Sequence, residues 1–103
     1  MSVVQIVTIK DLEKTEKDQD KKLVLSQPKI DGPKEGVTVD FQNSSGEKID
    51  VSFKEPNSAD PMKLVIPAGQ TESSHVIKTT KYEVSAVSNA TVRPVTGDII
   101  IVA

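Results

Sequence analysis

Val37-Thr38-Val39-Asp40-Phe41-Gln42-Asn43, then Ser44-Ser45-Gly46, then Ile49-Asp50-Val51-Ser52-Phe53 is the stretch that decides the fold. Apolar and polar residues alternate on both sides of the turn, the period of a strand with one face in a core. Asn43 and Gly46 tolerate left-handed backbone, so the middle of the stretch reads as a tight reversal. Two half-buried strands joined by a turn are therefore expected here.

Outward from this pair the pattern recurs. Val3 to Ile9 is a β-branched run, and Leu23-Val24-Leu25 is a short one. Lys63 to Ile66 ends at Pro67-Ala68-Gly69, and Val76-Ile77, Tyr82-Val84-Ala86 and Ile99 to Val102 complete the series. Ile30 to Gly36, with Pro33 inside it, reads as a turn-rich connector, and Glu55 to Pro61 reads as a loop. Lys10 to Lys22 is almost all charge around a single Leu12, too little for a core-facing stripe, so 10–22 is expected as a charged loop or arm. Short strands separated by turn signals make the chain all-β: one domain over 1–103, an antiparallel Greek-key β-sandwich of about seven to eight strands, for which an immunoglobulin-like arrangement is one expectation.

Composition narrows the chemistry. Thirteen Lys and Arg against 15 Asp and Glu give a net charge of −2, which carries no basic footprint for nucleic acid or an anionic membrane. There are 0 cysteines, which removes disulfides, thiolate metal sites and Cys nucleophiles. No secretory pattern precedes Val3, so a cytoplasmic location is expected for a full-length chain, and a secreted or periplasmic one if a signal peptide was removed.

Three pieces resemble the cupredoxins, the small copper-protein sandwiches typified by plastocyanin. Val37 to Asn43 with Gly46 and the Ile49-Val51-Phe53 strand resembles the family's strand ending in Phe-x-Asn, its loop and its ligand-bearing strand. Leu64-Val65-Ile66-Pro67-Ala68-Gly69-Gln70-Thr71 resembles its hydrophobic-Gly-Thr element. Tyr82 to Ala86 and Gly97 to Val102 resemble the strand that delivers its cysteine and its last strand. The resemblance implies the fold and aligns the four copper ligands with Ile49, Ala86, Asn89 and Pro94, none of which is a copper ligand. No cofactor is expected, and apolar packing is expected around Ile49 and Ala86.

Other candidates have plainer readings. His75 follows Ser73 and Ser74, but adjacent strand residues point to opposite faces, so His75 and Ser74 do not meet. Glu47, Asp50, Glu55 and Asp60 lack calcium-loop spacing and read as solubility charges. Asn43-Ser44-Ser45 and Asn89-Ala90-Thr91 match the glycosylation acceptor pattern, yet both asparagines read first as turn residues. Tyr82, Phe41 and Phe53 fall on inward parities, which leaves no stacking platform for sugars.

The terminal strands are apolar on both parities, as strands buried on both faces or lining a contact would be. Val3, Val4, Ile6, Ile99, Ile100 and Ile101 are the candidate interaction surface. The expected function is a non-catalytic protein-interaction or structural module, not an enzyme, with another protein or a second copy as partner and neither nucleic acid nor membrane. The alternative is a small-ligand or carbohydrate-binding accessory domain using loops around Gly46, Asn57 and Asn89.

Overall fold

The computed structural model describes residues 3–12, 22–54, 63–89 and 91–102. Nine strands run through them: β1 (Val3–Leu12), β2 (Lys22–Leu25), β3 (Lys29–Gly32), β4 (Val37–Asn43), β5 (Ile49–Phe53), β6 (Lys63–Ile66), β7 (Thr71–Val76), β8 (Thr80–Ala86) and β9 (Val95–Ile101). They form a four-stranded sheet, β2-β1-β4-β7, and a five-stranded sheet, β3-β9-β8-β5-β6. The expected cupredoxin-like β-sandwich is present.

The alternation that pointed to strands is what fills the space between the sheets. Val37, Val39 and Phe41 on β4 face Ile49, Val51 and Phe53 on β5 and Tyr82 and Val84 on β8, all buried. Phe41 meets Tyr82 edge-on at 5.2 Å between ring centroids and Phe53 at 6.1 Å, so the aromatic cluster joins the sheets. Edge-to-face pairs of this kind add about 0.5–1.5 kcal/mol beyond the area they bury.

Three expectations are corrected. Lys29–Gly32 is a strand, where a connector was expected, because β9 supplies a partner: Ile30 sits beside Ile99 and Gly32 beside Ile101 in a parallel pair. β1 also pairs in parallel with β4, from Val3 beside Val37 to Ile9 beside Asn43. Five of the seven strand pairs are thus antiparallel and two are not. A parallel pair needs a long crossover, which the excursion through β2 and β3 provides between β1 and β4. The charged arm is strand at both ends, since Asp11 pairs with Leu23 and Leu12 with Lys22. Residues 13–21, like the loop expected at 55–61, lie outside the described residues.

β1 and β9 alternate after all. Val7 and Ile9 are buried while Val4 and Ile6 are exposed, and Ile99 is buried while Ile100 on the other face is half-buried. Each lies inside its sheet, β1 between β2 and β4, β9 between β3 and β8. Where β1 runs past β2, Ser26 exchanges hydrogen bonds with Thr8, and Gln27 Nε2 donates to the Ile6 carbonyl at 2.7 Å.

Two glycines are needed by geometry. Gly36, at φ 102°, closes the turn before β4, and a Cβ there would come 2.7 Å from the Val76 carbonyl. Gly97 lies opposite Tyr82 on the neighbouring strand, and the ring occupies the space a Cβ would need. The Tyr82 phenol is buried with no hydrogen-bond partner among the described residues. Burial pushes its pKa well above the ordinary value of 10.0, and the Asp98 carboxylate adds to the rise.

Tyr82→Phe therefore keeps the ring on Gly97 and removes an unpaired hydroxyl, changing stability by no more than about 1 kcal/mol in either direction. The folded pKa is raised, so the stabilisation from a neutral phenol is complete below the ordinary value and lost as pH climbs above it. Melting curves from about pH 9 to 12 should show a fall in the wild type that is shallower in Tyr82→Phe. Tyr82 is the only tyrosine, so phenolate absorbance reports on it directly, and ionisation at the ordinary value in the folded chain would disprove the account. Gly97→Ala should cost about 1–3 kcal/mol by urea denaturation, the range for overpacking.

Candidate functional site

The chemistry-bearing residues of this chain gather at two places: one end of the sandwich, and the outer face of the four-stranded sheet. The end is built from the turns after β4, β6 and β8. There Ile49 opens β5, with Ile66 beside it on one side and Ala86 on the other. Ile49 and Ile66 are fully buried and Ala86 packs against the same core. Two of the positions that the resemblance aligns with copper ligands are therefore cross-strand neighbours in aliphatic surroundings.

The other two lie on the loop from Val87 to Pro94, where Asn89 is half-buried and Pro94 exposed. Asn89 Nδ2 donates to Glu47 Oε1 at 3.1 Å, and its Oδ1 accepts from the Thr91 hydroxyl at 2.6 Å. Val92, between them, turns inward and joins the core cluster with 4% exposure. The sequence held no sign of this, because a lone Val in a polar loop has no period to place it. Among the described residues no group of three or more His, Cys, Asp or Glu is arranged to hold a metal ion. Glu47 serves Asn89, Asp50 pairs with Lys63 at 3.5 Å, and Glu55 and Asp60 lie outside the described residues.

Asn43 is the most constrained polar residue here. Its Nδ2 donates to the Glu47 carbonyl at 2.7 Å and to the Ile66 carbonyl at 2.9 Å. Its Oδ1 accepts from the Ser45 N–H at 3.0 Å and from the Ser45 hydroxyl at 2.6 Å. Its own N–H donates to Gln70 O, and its carbonyl accepts from Gly69, both at 2.9 Å. With its amide buried and fully used, Asn43 is not presented as a glycosylation acceptor in the folded chain. It is more than the turn residue expected; the signal lay in its parity, which continues Val37, Val39 and Phe41 inward.

A polar cleft of about 280 Å³ lies between the turn at 43–45 and the turn at 69–71. Gly46 and Asn89 of the ligand-binding alternative do share this end, through Glu47, while Asn57 lies outside the described residues. The amide and hydroxyl of Asn43 and Ser45 at the cleft are committed to each other.

On the outer face of the four-stranded sheet, register sets three rows: Val4, Thr38 and His75; Ile6, Asp40 and Ser73; Thr8, Gln42 and Thr71. The Thr38 hydroxyl meets His75 Nδ1 at 3.1 Å, and the Ser73 hydroxyl donates to Asp40 Oδ1 at 2.5 Å. Ser74 is buried and His75 exposed, on opposite faces as expected. Ser73, which shares the face of His75, is bonded to a carboxylate in place of the imidazole. Beside these polar rows Val4 is 53% exposed and Ile6 46%.

The candidate interaction surface is thereby divided. Val4 and Ile6 lie on this outer face, Ile100 is half-buried on the outer face of the other sheet, and Ile99 and Ile101 belong to the core side. Val3 is paired with Val37 in the backbone, and its side chain is outside the described residues. Val4 and Ile6 are thus separated from Ile99, Ile100 and Ile101 because β1 and β9 belong to different sheets.

No known family model matches the chain, and no curated protein matches it. Solved structures do. The chain is similar to Lac15 from a marine microbial metagenome, with a TM-score of 0.55 at 15% identity over 98% of this chain and 32% of that one. It is also similar to the McoA multicopper oxidase from the hyperthermophile Aquifex aeolicus, with a TM-score of 0.52 at 21% identity over 99% of this chain and 30% of that one. The chain thus spans about a third of the length of these solved chains, and identities this low establish a shared fold alone.

Removing the Asn43 amide should take a donor from the buried Ile66 carbonyl and an acceptor from the Ser45 N–H at once, while the Glu47 carbonyl keeps the Ser45 hydroxyl. Asn43→Ala is expected to cost about 3 kcal/mol or more, since each unmet buried group costs about 1–3 kcal/mol. An unfolding free energy in urea within about 1 kcal/mol of wild type at equal slope would show that water replaces the amide.

Proposed function

We propose that this cupredoxin-like sandwich is a copper-free, non-catalytic module that acts by contact with another protein. The observation that carries the proposal is the outer face of β1, where Val4 and Ile6 stand one after the other about half exposed beside an ordered polar surface. The outer face of the five-stranded sheet carries the pairs Asp50–Lys63 and Lys81–Asp98, and its exposed Val65, at 46%, stands singly beside Asp50. Charged pairs of that kind keep a surface in water, whereas adjacent β-branched side chains gain by leaving it.

The positions aligned with copper ligands support the copper-free reading. Blue copper requires a thiolate and two imidazoles in a trigonal set. Here the corresponding strands bring together Ile49, Ala86 and Ile66, and Val92 enters the same core. The resemblance to a multicopper oxidase is one of fold, and function follows from sites.

The test uses the whole chain as bait in an extract of its own source. Val4→Glu with Ile6→Glu should abolish capture of the specific partner and leave the thermal midpoint within a few degrees, because both side chains already face water. Elemental analysis of the purified protein should find no stoichiometric copper. Capture indifferent to the double substitution, or one copper per chain, would sink the proposal.

A further inference from the structure

Four strands end the two sheets, and three of them are closed or blunted. The Leu23 N–H of β2 donates to the Arg93 carbonyl at 3.2 Å, and Lys22 bridges to Arg93, so the 87–94 loop covers that edge. β3 has four residues set between Pro28 and Pro33, and β6 has four that begin with Lys63 and stop at Pro67. Short length, lysine and proline are the usual guards of a free edge. β7 has none of them: six residues, Thr71–Val76, with no Lys, Arg or Pro. Its one charged side chain is Glu72, which lies at the start of the strand on the same parity as the buried Ser74 and Val76 and is exposed, so it guards that end alone.

The backbone groups that β7 offers follow from its pairing. Asn43 bonds to the β7 side through Gln70 and Gly69, while Ser44 donates to Ile9 on the β1 side. Alternation along an antiparallel ladder then makes Phe41–Glu72, Val39–Ser74 and Val37–Val76 the bonded pairs. The N–H and C=O groups of Thr71, Ser73 and His75 are left pointing away from β4. That row is a template for one more strand.

We propose that the strand which pairs there is β7 of a second copy, antiparallel, with the two-fold axis at Ser74. Continuing one sheet requires opposed residues to share a face, which restricts the axis to a residue and not to a gap between residues. At Ser74, Ser73 lies opposite the partner's His75 and His75 opposite the partner's Ser73, and each pair exchanges backbone hydrogen bonds. The side chain brought to the axis is small, and the partner's imidazole comes beside the Ser73 hydroxyl and the Asp40 carboxylate that holds it. An axis at Ser73 would instead set the two Ser73 hydroxyls opposite each other, each already given to its own Asp40, and would place each imidazole opposite the partner's Thr71, away from that carboxylate. The two four-stranded sheets become one of eight. This contact involves neither Val4 nor Ile6, so it stands or falls apart from the proposed partner surface.

The chain has 0 cysteines, so a single introduced thiol can pair only with another copy. Ser74→Cys places two thiols on the axis in a non-hydrogen-bonded pair, with Cα atoms about 4.5 Å apart and within disulfide range. Under mild oxidation it should form dimers at least about tenfold faster than Ser73→Cys or the exposed Lys78→Cys. Sedimentation of the unmodified chain should show a monomer–dimer equilibrium. Ser73→Pro deletes an N–H that points away from β4, so it should retain the fold and weaken the dimer at least about tenfold. If circular dichroism shows that variant unfolded, Ser73→Lys with His75→Lys keeps the backbone, sets like charges opposite one another and should also weaken the dimer. A strict monomer, equal cross-linking rates for the three thiols, or a dimer lost only on Val4→Glu with Ile6→Glu would each overturn the proposal.

Discussion

The side-chain amide of Asn43 is the tie on which the upper end of this sandwich depends. It belongs to β4 of one sheet and donates across the interior to Ile66 of the other, while its oxygen holds Ser45 in the turn that leads to β5. A buried amide has two donors and two acceptor sites, and here all four are used. Hydrophobic packing alone lets two sheets slide; a saturated polar group at the gap fixes their relative register, because any shift strands a buried carbonyl. The aromatic contact of Phe41 with Tyr82, one side-chain pair further down the same strand face, then falls into place.

Most of the fold was legible because it rests on period two. β4, β5 and β8 bury alternate residues as their patterns require, and their cores meet in register. What was not legible depends on partners far away in sequence. Lys29–Gly32 has the glycine and proline of a connector and becomes a strand only because β9, some seventy residues on, offers it an edge. The same holds for the parallel pairing of β1 with β4, which no local pattern encodes. The doubly apolar terminal strands left two readings open for a different reason. Val4 and Ile6 are apolar on an outer face, and a pattern read residue by residue cannot separate a second buried face from an exposed one.

The candidate site was legible in part. The resemblance aligned Ile49 and Ala86 with two ligands of one copper, and the register places them side by side. Asn43 carried a readable signal, since its parity aimed it inward with Phe41, but a polar residue at the end of a strand is more often solvated. Val92 carried none. Its inward turn follows from the loop it sits on, where Val92 N–H donates to Asn89 O at 3.2 Å and Leu23 N–H to Arg93 O. Those bonds fix the chain on both sides and leave the intervening side chain to the core.

Where function can reside follows from what the packing has already consumed. At the end of the sandwich, aliphatic groups and satisfied amides occupy the positions from which a reactive set would have to project. The five-stranded sheet turns paired charges outward. Among the described residues the four-stranded sheet offers two features: two successive β-branched side chains on its outer face and one row of backbone groups along β7. The first favours a partner by apolar area and the second by hydrogen bonds, and the two are spatially separate because β4 lies between β1 and β7. The partner contact proposed for the face would therefore leave the edge free, and the pairing proposed for the edge would leave the face uncovered.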